Sequence, residues 1–331
     1  MFDSCSHPRR ACLGCPAPEA PQTLEELTEF TAVELLSADL ESLAMVGTYL
    51  ESALVTTRSP GAMILGQGGY GPFQTAASPW RLCPSRITLR VAVSAPAVLA
   101  RSEMRPDMRL PGSIVVLDGE GAIWHRVQVV SDHDLRVAAS LEAGAPAPDC
   151  GREAPDPMPE GVVPLTAIRT ARRVWDSADT GEHLNDLLAD GGKTRRRCLP
   201  HIGTGKAWRC DESVLPSFLE YLCERSIPLM RSVPGHGLLQ AQSGALEDVA
   251  RAGSLLMAAC PNGVLTLDMA RIDTAWVVVA GRDWQIELYD GAGQALAVLG
   301  ADPWTDRRHW QSLLASLPPA RQQAPAPPSK G

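Results

Sequence analysis

The stretch VWDSADTGEHLNDLL, residues 174–188, sets one imidazole, His183, against a run of leucines. An imidazole can act as a proton donor, a proton acceptor or a metal ligand, and its charge state decides among these. Asp179 followed three residues later by Glu182 has the form of a capping box, so the sequence predicts a helix from near Thr180 to Gly191-Gly192 with His183 in its first turn. There the positive end of the helix dipole would disfavour imidazolium and keep a ring nitrogen free for a metal. Leu187, four residues on, turns the ring along the apolar side. Lys193, Arg195, Arg196 and Arg197 follow as a dense run of cations in a chain that is otherwise acidic. A greasy slot, an axial nitrogen and charge-assisted partners for carboxylates are together what a haem needs. The plainer alternative is a buried histidine with a backbone partner, beside a solvated basic helix end.

Other residues able to do chemistry are weaker candidates. Cys5, His7, Cys12 and Cys15 fall within eleven residues and would suit a tetrahedral zinc site, or else stand as free thiols in a Pro-rich arm. Three Cys-Pro dipeptides, at Cys15, Cys83 and Cys260, offer thiolates of the kind that ligate haem iron, although chance turns explain them equally well. GQGGYG (66–71) matches a dinucleotide fingerprint but runs into Pro72 rather than a helix, and GTGK (203–206) is too short for a phosphate loop. Both read as turns.

These residues need elements to hold them. The chain has 331 residues, 45% of them apolar, which is enough for one large or two medium domains. A net charge of −8 argues against a broad nucleic-acid or anionic-membrane footprint. The longest apolar runs, such as AWVVVAG (275–281), fall short of the roughly 20 residues that span a bilayer. The opening MFDSCSHPRR has no apolar core of a signal peptide, so the expected location is the cytoplasm. Nine cysteines without a small-scaffold spacing read as mostly reduced thiols.

Composition divides the chain into a leader (1–22), a first half (23–142), a Pro-rich linker (143–161), a second half (162–317) and a tail (318–331). The two halves resemble each other. SIVVLDGEGAIWHRV (113–127) and QIELYDGAGQALAVL (285–299) share a strand, an Asp-Gly-x-Gly turn and a second strand, about 172 residues apart. ITLRVAV (87–93) parallels VLTLDMA (264–270), and PGAMILGQGGY (60–70) parallels PGHGLLQAQSG (234–244). Helical stretches precede the strands, at 24–47 in the first half and 210–226 in the second. The expected fold class is therefore α+β, a tandem repeat of helices followed by an antiparallel meander in two pseudo-symmetric halves, with a ligand in the cleft between them.

Through most of residues 24–317 the chain resembles the cytoplasmic hemin-degrading factors, or hemin-transport proteins, of the HemS/HmuS type. The resemblance is carried by Trp175, Asp179, His183, Leu187-Leu188 and Thr194-Arg195, by ITLR ending in Arg90, by IDTAWVV (272–278), by IELYDGAGQALAVLG (286–300) and by HWQSLLASL (309–317). It implies that His183 is the proximal haem ligand, that Arg195 pairs with a propionate and that Arg90 lies on the distal side. The chain departs from the family where Leu299 and Asp302 replace a tyrosine and an arginine that help hold the propionates. Arg282, Arg307 and Arg308 are the available substitutes, though no motif places them. The implied function is a haem-binding protein, with haem b as ligand, that carries imported haem towards degradation or storage. Its implied partners are the haem importer or a haem-degrading enzyme. Two alternatives stand beside it: an enzyme that itself opens the haem ring, and a haem-free paralogue acting as an interaction module or, through the N-terminal cysteines, a metal-responsive one.

Overall fold

The computed structural model describes residues 21–75, 77–92, 97–105, 111–144, 163–177 and 182–320. The first half runs α1 (Leu24–Phe30), β1 (Val33–Leu36), α2 (Leu40–Gly47), β2 (Leu54–Ser59), β3 (Ala62–Gln67), β4 (Gln74–Thr75), β5 (Thr88–Val91), β6 (Val98–Ser102), β7 (Ser113–Leu117), β8 (Ile123–Gln128) and α3 (Asp132–Ala139). The second runs α4 (Leu165–Ser177), α5 (Asn185–Ala189), α6 (Lys193–Ile202), β9 (Ala207–Cys210), α7 (Leu215–Glu224), β10 (Leu229–Pro234), β11 (Leu238–Gly244), β12 (Asp248–Ala252), β13 (Leu255–Cys260), β14 (Gly263–Asp268), β15 (Thr274–Ala280), β16 (Asp283–Tyr289), β17 (Ala295–Ala301) and α8 (Arg307–Ala315). The fold is mixed α+β, as the sequence predicts.

Residues 24–47 do not form the continuous helical stretch expected. Thr23 caps α1 by accepting from the Glu26 N–H, and Asp39 caps α2 by accepting from the Ser42 N–H. Between the two helices Val33–Leu36 extends and pairs antiparallel with β6. The free edge of β6 wins over local helix propensity, since a paired edge satisfies backbone groups that would otherwise face the solvent unbonded.

Two sheets result, one in the order β1-β6-β7-β8-β2-β3-β14-β13-β12 and the other β4-β5-β11-β10-β17-β16-β15-β9. Each is six strands of one half completed by strands of the other. β14 of the second half pairs with β3, and β5 of the first half pairs with β11. The segments matched by sequence thus occupy matching places: 87–93 holds β5 and 264–270 overlaps β14, the two strands that cross between halves. Where β3 meets β14, Gly66 faces Gly263, and a Cβ on Gly66 would stand 2.1 Å from the Gln242 side-chain nitrogen. That glycine pair makes room for a buried amide between the sheets.

The inner faces hold two large cores. One joins Ile64, Leu265 and Leu267 to Val277, Ile286 and Leu288 around α7 and Trp310. The other packs α2 against Val55, Leu89, Val116 and Leu238. The outer face of the second sheet is covered by Trp175, Leu187, Leu199 and their neighbours on α4, α5 and α6. It is this cover that carries His183.

Candidate functional site

Glu182–Leu184 form a single 3-10 turn, and α5 begins only at Asn185. His183 therefore precedes the α-helix rather than sitting in its first turn, and Asp179 and Thr180 lie outside the described residues. At its other end α5 stops at Ala189, just ahead of the glycine pair, as expected. Gly191 and Gly192 take φ of +67° and +83°, reversing the chain into α6, and a Cβ on Gly192 would meet Ala295 and Leu187 at 3.0 Å. This tight reversal presses α5 and α6 onto β17.

The His183 ring is 1% exposed, and neither ring nitrogen has a hydrogen-bond partner. Its pKa is pushed down to about 3, first by burial and then by the Arg195 charge, while the Glu287 charge and the Gln285 side chain, which approaches the ring without making a hydrogen bond of proper geometry, oppose this. The imidazole is neutral, as expected, but the cause is desolvation rather than a helix dipole.

Arg195 has a different employment from the propionate pairing that the resemblance implies. Its side chain is fully buried, and Nε donates to both Glu287 carboxylate oxygens at 3.1 and 2.9 Å while Nη2 donates to Oε1 at 2.5 Å. Nη1 donates to the His183 carbonyl at 2.6 Å, and the guanidinium stacks 4.3 Å from the Trp175 ring. Glu287 also accepts from Gln285 at 2.6 Å and from the Tyr289 hydroxyl at 2.5 Å. Burial pushes the Glu287 carboxyl up, yet the Arg195 charge and these bonds hold it below its ordinary value. The pair is a buried brace that fixes the backbone at His183.

The rest of the cation run disperses around α6. Arg196 lies 5.0 Å from the Trp276 ring and bonds Thr274, while Lys193 is exposed. Arg90 is fully buried; its Nε donates to the Asn185 side chain at 2.8 Å and its Nη1 to the Ser78 carbonyl at 3.0 Å.

His183 opens onto a cavity of about 190 Å³. Its walls come from both halves: Trp80 and Leu82 from the first, Met230, Trp284 and Trp310 from the second. Arg282 and Arg307, both exposed, stand on the wall, where no sequence motif put them. Asp302 also lines the cavity, while Leu299 is buried in the inner core. Arg90, Arg195 and Arg308 are not wall residues, nor are Cys83 and Cys260. Cys5, His7, Cys12 and Cys15 lie outside the described residues, and among those described no cluster of three or more His, Cys, Asp or Glu could hold a metal.

Sequence reasoning missed Glu287, the residue that fixes Arg195. The signal was present in QIELY, where Gln285, Glu287 and Tyr289 alternate with apolar residues and so share one face of β16. A polar row on a strand buried on both faces demands partners.

Residues 193–317 match the family model HemS, described as the haemin-degrading HemS.ChuX domain. That stretch of the chain is similar to the HemS family. Among solved structures, the chain superposes on holo-PhuS, a heme-binding protein from Pseudomonas aeruginosa, with a TM-score of 0.69 and 19% identity over 89% of each chain. It superposes on ChuS, the heme degrading enzyme of Escherichia coli O157:H7, with a TM-score of 0.67 and 17% identity, again over 89% of each chain. At these identities the likeness is one of fold. Among curated proteins none is significantly similar to the chain in sequence. No described helix of it is long and apolar enough to cross a membrane.

Proposed function

We propose that this protein binds haem, as haem b, in the cavity beside His183, and carries it. The observation that supports this reading is the state of His183: a buried, neutral imidazole with both ring nitrogens unbonded, facing a cavity. Buried polar groups in folded proteins are almost always hydrogen-bonded, so an imidazole left bare in this way calls for a ligand that is not another protein group.

The walls fit such a ligand. Trp80, Leu82 and Met230 offer apolar and aromatic surface to a macrocycle. Arg282 and Arg307 offer guanidinium forks to its carboxylates, in place of Arg195, whose donors are engaged with Glu287 and His183. The Arg195–Glu287 brace holds the turn so that the imidazole is preorganised. When bound, the haem iron supplies the redox and ligand-exchange chemistry of the site.

Carrying is favoured over ring opening because Arg90, the distal donor that the family resemblance implies, is engaged with Asn185 and Ser78 and lies off the cavity wall. The finer role, passing imported haem in the cytoplasm towards degradation or storage, rests on the same observation.

The test is a hemin titration of wild type and His183→Ala followed by visible absorption. Wild type should show a saturable shift at one equivalent, and the variant should bind at least about 100-fold more weakly, or ~2.7 kcal/mol. Equal affinity and equal spectra in the two proteins would sink the haem reading. Incubating the loaded protein with a reductant and catalase then separates the roles: intact, transferable haem supports the carrier, and ring-opened product supports the enzyme.

A further inference from the structure

A second buried cation lies away from the His183 cavity. Arg231, on β10, is 0% exposed and sits on the inner face of its sheet with Leu229 and Val233. Its Nη2 donates to the Cys260 sulfur at 2.8 Å, while its Nε and Nη1 have no partner. Gln242, its neighbour across the β10–β11 pair, leaves its own Oε1 unbonded. A guanidinium stays charged when buried, and burying it without an anionic partner is costly, so this arrangement needs a reason. No carboxylate among the described residues pairs with it.

Cys260 closes the β13–β14 hairpin opposite Gly263, next to exposed Pro261 and Asn262. Cys260 is half-buried, with the turn on one side and Arg231 on the other. Its S–H points to the Gly263 carbonyl at 3.2 Å, which leaves the sulfur lone pairs facing the guanidinium. The idle Nε and Nη1 lie on either side of the Nη2 that contacts the sulfur, so an oxygen attached to that sulfur has an unused donor next to it.

We propose that Cys260 is a site of oxidation by small hydroperoxides, with Arg231 as the positioning residue that holds the transferred oxygen. The sulfur attacks the nearer peroxide oxygen; the S–O bond forms as the O–O bond breaks. The thiol proton ends on the departing oxygen, giving water from hydrogen peroxide or an alcohol from an organic hydroperoxide. Cys260 is oxidised by two electrons to the sulfenic acid and the peroxide is reduced by two. Either Nε or Nη1 of Arg231, which flank the Nη2 already on the sulfur, then donates to the new oxygen. The proposal does not depend on haem.

The test uses the full, haem-free chain, hydrogen peroxide at stoichiometric amounts, a sulfenic-acid trapping reagent and peptide mass spectrometry. Cys83 and Cys223 are also half-buried and serve as internal references. Cys260 should be trapped about 10-fold faster than either. In Arg231→Met, which keeps the volume and removes the donors, that advantage should vanish while far-UV circular dichroism is unchanged. Trapping of wild-type Cys260 no faster than Cys83 overturns the proposal without recourse to any variant. An undiminished rate in a folded Arg231→Met protein overturns the role of Arg231.

Discussion

Each half buries one neutral imidazole against its sheet, His125 in the first and His183 in the second, and burial pushes both pKa values down to about 3. Their surroundings differ. His125 Nδ1 lies 2.7 Å from the Thr57 hydroxyl and Nε2 2.7 Å from the Tyr70 hydroxyl. Because the Thr57 hydroxyl donates to Gln240 at 2.6 Å, it must accept from Nδ1, and Nε2 must accept from Tyr70. That ring is complete. His183 has the same charge state and neither bond. Burial fixes the charge of an imidazole; whether its nitrogens are satisfied separates a core residue from a ligand.

The largest effect should come from the brace behind His183, which the first half lacks. Glu287→Ala would leave Arg195 charged, buried and without its carboxylate, at a cost of about 3–5 kcal/mol. Thr57→Val in the first half removes neutral hydrogen bonds around His125 and should cost about 1–3 kcal/mol. Chemical denaturation of the two variants compares them directly. Equal losses would mean that the Arg195–Glu287 pair behaves as an ordinary polar contact.

Next comes the exchange of roles between the histidines. His125→Ala should lower stability by about 1–3 kcal/mol, since it strands Tyr70 and Thr57, and leave hemin affinity near wild type. His183→Ala should show the reverse: little loss of stability, because no bond to the ring is broken, and loss of hemin binding. A hemin titration and a urea melt on each variant give four values. The comparison fails if both variants move the same pair.

The pH dependence tests what the two rings share. Unfolded, each has an ordinary value near 6.5; folded, each lies at about 3. Between those values the unfolded chain takes up a proton per ring and the folded chain does not. Their contribution to stability is therefore full above pH 6.5 and is lost as pH falls, by about 1.4 kcal/mol per pH unit for each ring. Unfolding free energies between pH 6 and 5 should show both protons, and His125→Phe and His183→Phe should each remove one.

How much of this was legible in the sequence follows from the range of the forces involved. The paired hairpins could be read because an Asp-Gly-x-Gly turn is fixed by residues within five positions of one another. The crossing strands could be matched as repeats, but not paired, because β3 finds β14 about 200 residues away and only the inner core decides it. The glycine pair at 191–192 marks the end of α5 correctly, but its start is read too early, because a capping pattern does not show that Glu182–Leu184 turn as a 3-10 segment ahead of Asn185. The charge of His183 was read correctly for the wrong cause, since local sequence shows a dipole and not burial. The family resemblance puts Arg195 at a propionate, and local sequence shows nothing of its partner Glu287, 92 positions away. Trp80, Arg282 and Arg307 come to the cavity from three distant segments, and nothing local marks them as neighbours.

The smallest effect probes what the halves have kept in common. Asp118 Oδ1 accepts from the Glu120 and Ala122 N–H groups, both at 2.9 Å, and Asp290 Oδ1 accepts from Ala292 and Gln294 at 3.0 and 2.7 Å. Gly121 and Gly293 end the two turns with φ of +81° and +79°, and both hairpins carry a register shift at the same place, Val116/Leu117 and Leu288/Tyr289. A Cβ on Gly121 would come no closer than 3.8 Å to Leu24, and one on Gly293 no closer than 3.5 Å to Arg196, so neither substitution is blocked by a clash. What remains is the cost of the left-handed backbone, about 1 kcal/mol for alanine at either position. Gly121→Ala and Gly293→Ala should thus lower stability equally, add in the double variant and leave hemin affinity unchanged. A larger cost at Gly293 would show that the turn of the second half is coupled to Arg196 on α6, and that the two halves have diverged at their turns as well as in their cover.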